Sequence, residues 1–313
     1  MIFDTASMYF RAFHGLPSSL RSPQGEPVNA VRGLLDAMAR LVEQYRPSHL
    51  ACAWDDDWRP QWRVDLVPSY KTHRLAAATP GPDGSSEEAP EELSTQVPVI
   101  REVLAALGIA VVGVAEHEAD DVIGSLTAQF AGQSLAVTGD RDLFQLATGG
   151  TRVVYIGKGV AKHDLVDSDW VLAKQGVPAE RYVDHAVLRG DPSDGLPGVK
   201  GIGERTAARL VGNHPSLEAM VQAARDQDPS MAAGLRSRLL GAEDYLAPAR
   251  TVVEVVRDLE LDCLRDEARV LRIDASARDE AALEALVERW GIGSSVGRMV
   301  AALDLAQGFS GGR

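Results

Sequence analysis

The stretch Ile109-Ala110-Val111-Val112-Gly113-Val114-Ala115-Glu116-His117-Glu118-Ala119-Asp120-Asp121-Val122-Ile123-Gly124 decides the fold. A β-branched run of strand length ends at a cluster of carboxylates, and apolar positions then repeat at helical spacing to Phe130. A strand that hands over to a helix through a polar turn is half of a βαβ unit. Outward from it the same arrangement recurs. Asp4 follows Met1-Ile2-Phe3, Asp55 follows Leu50 to Trp54, and Asp140 and Asp142 follow Leu135 to Thr138. Strands are expected at 1–4, 49–54, 109–114, 134–138 and 151–156, with helices over Val28–Tyr45, Val97–Leu107 and Asp120–Phe130. This is an α/β fold with a mostly parallel sheet flanked by helices. The carboxyl ends of parallel strands open onto one crevice, where such folds bind ligands, so the acids should converge. Crowded carboxylates raise one another's pKa unless cations neutralise them, and hard oxygen donors suit Mg²⁺ or Mn²⁺ better than Zn²⁺.

Composition sets the frame. The 313 residues are 45% hydrophobic, enough for a globular core, and the two cysteines, Cys52 and Cys263, suggest a reducing compartment rather than a disulfide framework. No apolar run reaches membrane-spanning length and Met1-Ile2-Phe3-Asp4 lacks the features of a signal peptide, so a soluble cytoplasmic protein away from membranes is expected. A net charge of −13 argues against a coat of basic residues. Seven of the acids belong to the strand-end set, however, and bound cations would offset them.

Leu75 to Thr95 is rich in Ala, Pro, Gly, Ser and Glu and contains no Lys or Arg, which reads as a flexible excursion or loose arch. Just before it stands Tyr70-Lys71-Thr72-His73-Arg74. On a helix Tyr70 and Arg74 would share a face, offering a ring for a base and cations for a phosphate. Arg11, after Asp4, is a further phosphate contact. Beyond about residue 168 the pattern becomes mainly helical, with helices opening at Val177-Pro178, over Gly201–Val211 and over Ala281–Trp290.

An acid at a helix start is ordinarily a cap, because the helix dipole favours it. Three acids in four positions at Glu118–Asp121 exceed what a cap needs. Glu118 and Asp121 share a face and Asp120 projects sideways, an arrangement able to bridge two ions. Thr138-Gly139-Asp140-Arg141-Asp142 is a second acidic turn. In the helical half, Gly190-Asp191-Pro192-Ser193-Asp194-Gly195-Leu196-Pro197-Gly198-Val199-Lys200-Gly201-Ile202-Gly203-Glu204-Arg205-Thr206-Ala207 combines two acids with glycines that bare backbone N–H groups at a helix start. Such a turn, with Lys200, Arg205 and Arg209 beside it, grips a nucleic-acid backbone without reading bases.

Taken in order, these pieces resemble the 5′ nuclease family, which includes flap endonucleases and the 5′→3′ exonuclease domain joined to bacterial DNA polymerase I. The resemblance runs motif by motif from Met1 to about Leu210 and more loosely over Ala281–Met299. It implies a PIN-like nuclease domain over 1–188, with an arch at about 70–97, and a helical region over 189–313 carrying a DNA-binding helix-hairpin-helix. No polymerase region follows, as in a stand-alone bacterial enzyme. The implied metal set is Asp4, Asp55, Glu118, Asp120, Asp121, Asp140, Asp142, Asp191 and Asp194, holding two or more Mg²⁺ or Mn²⁺ ions. Asp120, Asp140, Lys71 and Arg74 would be catalytic. Arg11, Tyr70, Lys71, Arg74, Gly198, Lys200, Gly201, Gly203, Arg205 and Thr206 would contact DNA, with a K⁺ at carbonyls near Val199–Ile202.

The expected activity is hydrolysis of phosphodiesters in branched, flapped or nicked duplex DNA by a monomer, in replication and repair. Ser94 stands where the family often has Arg, and Gly195 where it often has Asn. Three rival readings remain: a non-catalytic binder of branched DNA; a phosphatase using Asp4, disfavoured because Ala6 stands where its second Asp belongs; and a PIN-type ribonuclease, for which the hairpin would be superfluous.

Overall fold

The computed structural model describes residues 1–75 and 90–310. In chain order the elements are β1 (Ile2–Asp4), α1 (Thr5–Gly15), α2 (Asn29–Tyr45), β2 (Ala51–Ala53), α3 (Gln61–Leu66), α4 (Glu91–Ser94), α5 (Gln96–Ala106), β3 (Ala110–Val112), α6 (Ala119–Gln129), β4 (Ser134–Thr138), β5 (Thr151–Tyr155) and β6 (Asp164–Val166). Then come α7 (Ser168–Gln175), α8 (Tyr182–Arg189), α9 (Glu204–Asn213), α10 (Leu217–Arg225), α11 (Ala233–Leu240), α12 (Glu243–Val253), the single turn α13 (Arg265–Ala268), α14 (Glu280–Trp290) and α15 (Gly293–Ser310). All five expected strands are present: 134–138 has the expected bounds, and the other four are trimmed at one or both ends.

The strands form one sheet in the order β3-β2-β1-β4-β5-β6, parallel except for the β5–β6 pair. The antiparallel edge strand β6 was not expected; a run of three residues, Asp-Leu-Val, is too short to show a period. Along each strand the side chains alternate between two cores. Ile2, Ala51, Ala53, Ala136 and Val153 face the side covered by α6 and the helices after residue 168, where Val122, Ile123, Tyr182 and Leu210 are buried. Phe3, Cys52, Val137 and Val154 face α2, α5 and the last two helices, where Leu34, Leu41, Leu104 and Met299 are buried. Cys52 is fully buried, which pushes its thiol up to about 12, and both cysteines are free.

The region after residue 188 is therefore not one separate helical body. Leu283, Ile292, Val296, Met299 and Leu303 carry α14 and α15 back onto the sheet face covered by α2 and α5, because α2 would otherwise leave an apolar stripe open. The central part of the expected arch, 76–89, lies outside the described residues. Its far end is ordered by a buried anchor: Leu93 is fully buried on α4, and Gln96 accepts from the Ala30 N–H at 2.8 Å while donating to Asn29 at 3.0 Å. Ser94 is exposed, with its hydroxyl donating to the Pro90 carbonyl at 3.4 Å.

The loop Pro192–Leu196 is pressed against Ser69–Lys71. The Lys71 N–H donates to the Asp194 carbonyl at 2.9 Å and the Ser69 hydroxyl to the Gly195 carbonyl at 2.7 Å. Gly195 has φ +71°, and a Cβ there would overlap the Ser69 carbonyl oxygen. Glycine is thus demanded twice, by conformation and by close approach. Gly195→Ala should destabilise the chain by more than about 1 kcal/mol, read as a lower melting temperature. An unchanged melting temperature would refute the packing.

Candidate active site

The strand order reverses at β1, since the chain runs outward through β2 and β3 and then returns to place β4 on the other side of β1. The crevice at that reversal gathers the strand-end acids. Asp4 caps α1, accepting from the Ser7 N–H at 3.1 Å and the Thr138 hydroxyl at 2.6 Å. Asp55 accepts from the Ala119 N–H at 2.8 Å. Asp140 accepts from the Asp142 N–H at 2.8 Å. Asp120 lies on the first turn of α6, and no hydrogen bond to its carboxylate is found among the described residues. Asp4, Asp55, Glu118, Asp120 and Asp140 all line one crevice of about 640 Å³ with Arg11, Lys71 and Arg74.

A smaller recess of about 10 Å³ lies between Glu118, Asp120, Asp142 and Asp194, room for about one water-sized sphere. The buried Asp142 Oδ1 has no partner there. An orphaned carboxylate oxygen beside other acids is the donor chemistry a hard divalent cation takes up, so these residues fit Mg²⁺ or Mn²⁺. The acids surround the space without closing on one point: among the described residues, no three His, Cys, Asp or Glu side chains form a ready metal cage.

Electrostatics agrees with the donor set. Asp4 is raised from 3.8 to about 7, mainly by burial, with Asp55 and Asp140 adding repulsion against the stabilising Thr138 bond. Burial likewise raises Asp120 and Asp142, each with neighbouring carboxylates contributing. Asp55 and Asp194 rise for the same reason but are relieved by Lys71. Lys71 is buried, yet its ammonium is held well above the ordinary value because Glu118 and other acids face it and outweigh burial.

The structure revises several sequence expectations. Asp121 does not face the crevice: it is fully buried, its two oxygens accept from Arg63 Nη1 and Nη2 at 2.7 Å each, and it also accepts from the Glu118 and Val256 N–H groups. Here the capping explanation holds for Asp121, while Asp120 is the acid turned to the crevice. Tyr70 to Arg74 is not a continuous helix. Lys71 sits in the left-handed region at φ +49°, and only Thr72–Arg74 form a single 3₁₀ turn. Tyr70 is 4% exposed and its hydroxyl donates to Glu118 at 2.8 Å, so its ring offers no open platform for a base.

Lys71 pairs with Glu118 and donates to the Trp58 carbonyl at 3.3 Å, and Arg74 pairs with Asp194 at 2.7 Å. Arg11 reaches the carbonyls of Gly139 and Gly157 at 3.4 Å. Asp191 caps the short turn at Pro192–Asp194 through the Ser193 N–H and lies 3.5 Å from Arg189.

The hairpin helix begins at Glu204, not Gly201, with Gly203 before it. Lys200, Gly201, Gly203 and Arg205 are exposed and Thr206 is half-buried. Gly198 is different: its N–H donates to the Tyr245 hydroxyl at 3.1 Å and a Cβ there would press on the Arg189 carbonyl, so it serves packing. Sequence reasoning missed the buried Arg63, the half-buried Arg189, and the crevice residues Phe10, His14, Trp58 and His73. Arg63 sits in an ordinary amphipathic segment, and no local pattern marks it.

Two models of the 5′-3′ exonuclease family match the chain, the N-terminal resolvase-like domain over residues 1–176 and the C-terminal SAM fold over 177–276. The chain belongs to the 5′-3′ exonuclease family. A 5′-3′ exonuclease of Streptomyces coelicolor is 52% identical over 306 residues, covering 97% of this chain and 99% of the relative. One of Mycobacterium tuberculosis is 45% identical over 316 residues, covering 98% of each. Among solved structures, the bacteriophage T5 flap endonuclease in a pseudo-enzyme-product complex with DNA and metal ions has a TM-score of 0.59 at 16% identity, covering 95% of this chain and 98% of that one, which shows the shared fold. The chain is thus an α/β nuclease of this family with a resolvase-like, PIN-type domain and a helical SAM-like region. Among the described residues no helix is long and apolar enough to cross a membrane.

The raised pKa of Asp4 has a measurable consequence. The folded chain keeps this proton up to about pH 7 and the unfolded chain releases it near 3.8, so folded stability is full below 3.8 and falls as pH climbs through that window. In EDTA, Asp4→Asn should outlast wild type at pH 8 by about 1–3 kcal/mol, and the gap should close toward pH 4. Parallel melting curves across this range would refute the shift.

Proposed function

We propose that this nuclease hydrolyses a phosphodiester near the 5′ end of branched, flapped or nicked duplex DNA, with Mg²⁺ or Mn²⁺ held by the crevice acids. The observation that carries this reading is the convergence of Asp4, Asp55, Glu118, Asp120 and Asp140 on one floor beneath Arg11, Lys71 and Arg74. When bound, two such ions supply an activated water and stabilise the leaving oxygen. The chain's own residues do the rest. Asp120 and Asp140 with Asp4, Asp55 and Glu118 hold cations at the open crevice, and Asp142 and Asp194 serve the recess. Lys71 and Arg74 offset charge on the phosphoryl oxygens, Tyr70 orients Glu118 through its hydroxyl, and Arg11 contacts phosphate at the rim. Products carry a 5′-phosphate and a 3′-hydroxyl.

The duplex is held by Lys200, Gly201, Gly203, Arg205 and Thr206 through phosphates, without base reading. The functional division is a nuclease part over 1–188 and a grip within 189–313. A K⁺ held by carbonyls of Val199–Ile202 belongs to the same proposal, with the Gly201 carbonyl already engaged by Arg238 at 3.1 Å. The acting species is a cytoplasmic monomer in replication and repair.

A 5′-labelled flap incubated with and without Mn²⁺ tests the reading. Wild type should release short 5′ products only with the ion, and Asp120→Ala should bind the flap but leave it whole. Retained binding without cleavage by wild type would favour a non-catalytic binder instead. Lys71→Ala should lower turnover roughly 10²–10³-fold while flap affinity changes by less than about threefold; equal losses in both would remove Lys71 from the chemistry. Affinity should fall steeply with salt and ignore sequence, with Lys200→Ala/Arg205→Ala showing a shallower slope of log affinity against log salt.

A further inference from the structure

Arg63 is 2% exposed, on the short helix α3, and its donors are spent on three partners. The guanidinium forks onto Asp121, with Nη1 to Oδ2 and Nη2 to Oδ1 both at 2.7 Å. The same Nη1 lies 3.3 Å from Glu118 Oε1, and Nε donates to the Val252 carbonyl at 3.1 Å. Asp121 closes the circuit by accepting from the backbone N–H groups of Glu118 at 3.2 Å and Val256 at 2.9 Å. One buried cation therefore touches the side chain of Glu118, the acid that holds its backbone, and the last turn of α12.

Glu118 is the crevice acid with the most side-chain donors. Oε1 faces Tyr70 and Arg63, and Oε2 faces Lys71. Three donors from two separate segments leave its carboxylate one orientation. A bidentate guanidinium adds geometric specificity that an ammonium cannot reproduce. Plain structural glue between α3 and α6 would need the Asp121 fork but not the contact with Glu118.

We propose that Arg63 is a positioning residue of the nuclease site, withholding Asp121 from the metal set and fixing the Glu118 carboxylate toward the crevice. The proposal rests on the nuclease reading above and extends it to a residue that lines the small recess and not the open crevice. It predicts that metal binding depends on Arg63 even though Arg63 is a cation.

The test compares wild type with Arg63→Gln/Asp121→Asn and with Arg63→Lys. The double variant removes one positive and one negative charge, so the net charge near the metal is unchanged, and the amide pair retains hydrogen-bonding capacity. Mn²⁺ affinity is measured without DNA by electron paramagnetic resonance titration, alongside the melting temperature and kcat and KM on a labelled flap.

In the double variant, folded by its melting transition, Mn²⁺ affinity should weaken about 10–100-fold, with kcat lowered and KM for DNA unchanged. Arg63→Lys should show the same change to a smaller extent, and it carries the test if the double variant fails to fold. Mn²⁺ affinity and kcat equal to wild type in the folded variants would overturn the proposal. A wild type that binds Mn²⁺ but never cuts DNA would overturn the nuclease reading alone, since the affinity comparison still decides the role of Arg63. A wild type that binds no Mn²⁺ would overturn both.

Discussion

Mutual repulsion among carboxylates brought to one crevice is the constraint on which the site's architecture depends. A fold that gathers Asp4, Asp55, Glu118, Asp120, Asp140, Asp142 and Asp194 must hold each of them against its neighbours. It does so in two ways. Backbone N–H groups at helix starts and turns take up Asp4, Asp55 and Asp140, where the partial positive charge of free N–H groups favours an anion. Buried cations take up Glu118 and Asp121, and the half-buried Arg74 takes up Asp194. What remains is the informative part: Asp120 faces the crevice supported only by charge, and Asp142 keeps a buried oxygen without a partner. These two acids have the most to gain from an external cation.

Topology explains why the crevice exists at all. Because the chain lays β2 and β3 on one side of β1 and β4 to β6 on the other, the helices after β1 and before β4 leave from opposite faces and open a gap above β1 and β4. Asp4 closes β1 and Thr138 closes β4, and the hydroxyl of one reaches the carboxylate of the other. The two cores then lock this geometry from both sides of the sheet.

The sheet was legible because parallel strands buried on both faces give β-branched runs, and acids at their ends break those runs sharply. The convergence of five acids followed from strand direction alone. The role of Asp121 was not legible. A cap and a metal ligand are the same residue type at the same place, and only the distant Arg63 distinguishes them. Tyr70 to Arg74 was misread because helical spacing was applied across Lys71, whose left-handed backbone no residue-type rule foretells for lysine. The return of α15 to the sheet was hidden for a similar reason: its apolar positions say that it must be buried, but not against what.

The charge balance gains its meaning from this arrangement. A net −13 would oppose DNA if it were spread evenly. Part of it instead lines the crevice, where fixed cations already offset some, while Lys200, Arg205 and Arg209 stand exposed on the hairpin and its helix. Between these two regions runs the segment from Asp191 to Gly203, tied at Gly195 to Ser69, at Asp194 to Lys71 and Arg74, and at Gly198 to Tyr245. The proposed duplex grip and the proposed catalytic lysine are thus joined by a short, multiply pinned stretch of backbone. On the proposed function, a strand held by phosphates at the hairpin would meet the crevice at a distance set by that stretch, and the position of the cut would follow from the shape of the DNA and not from its bases.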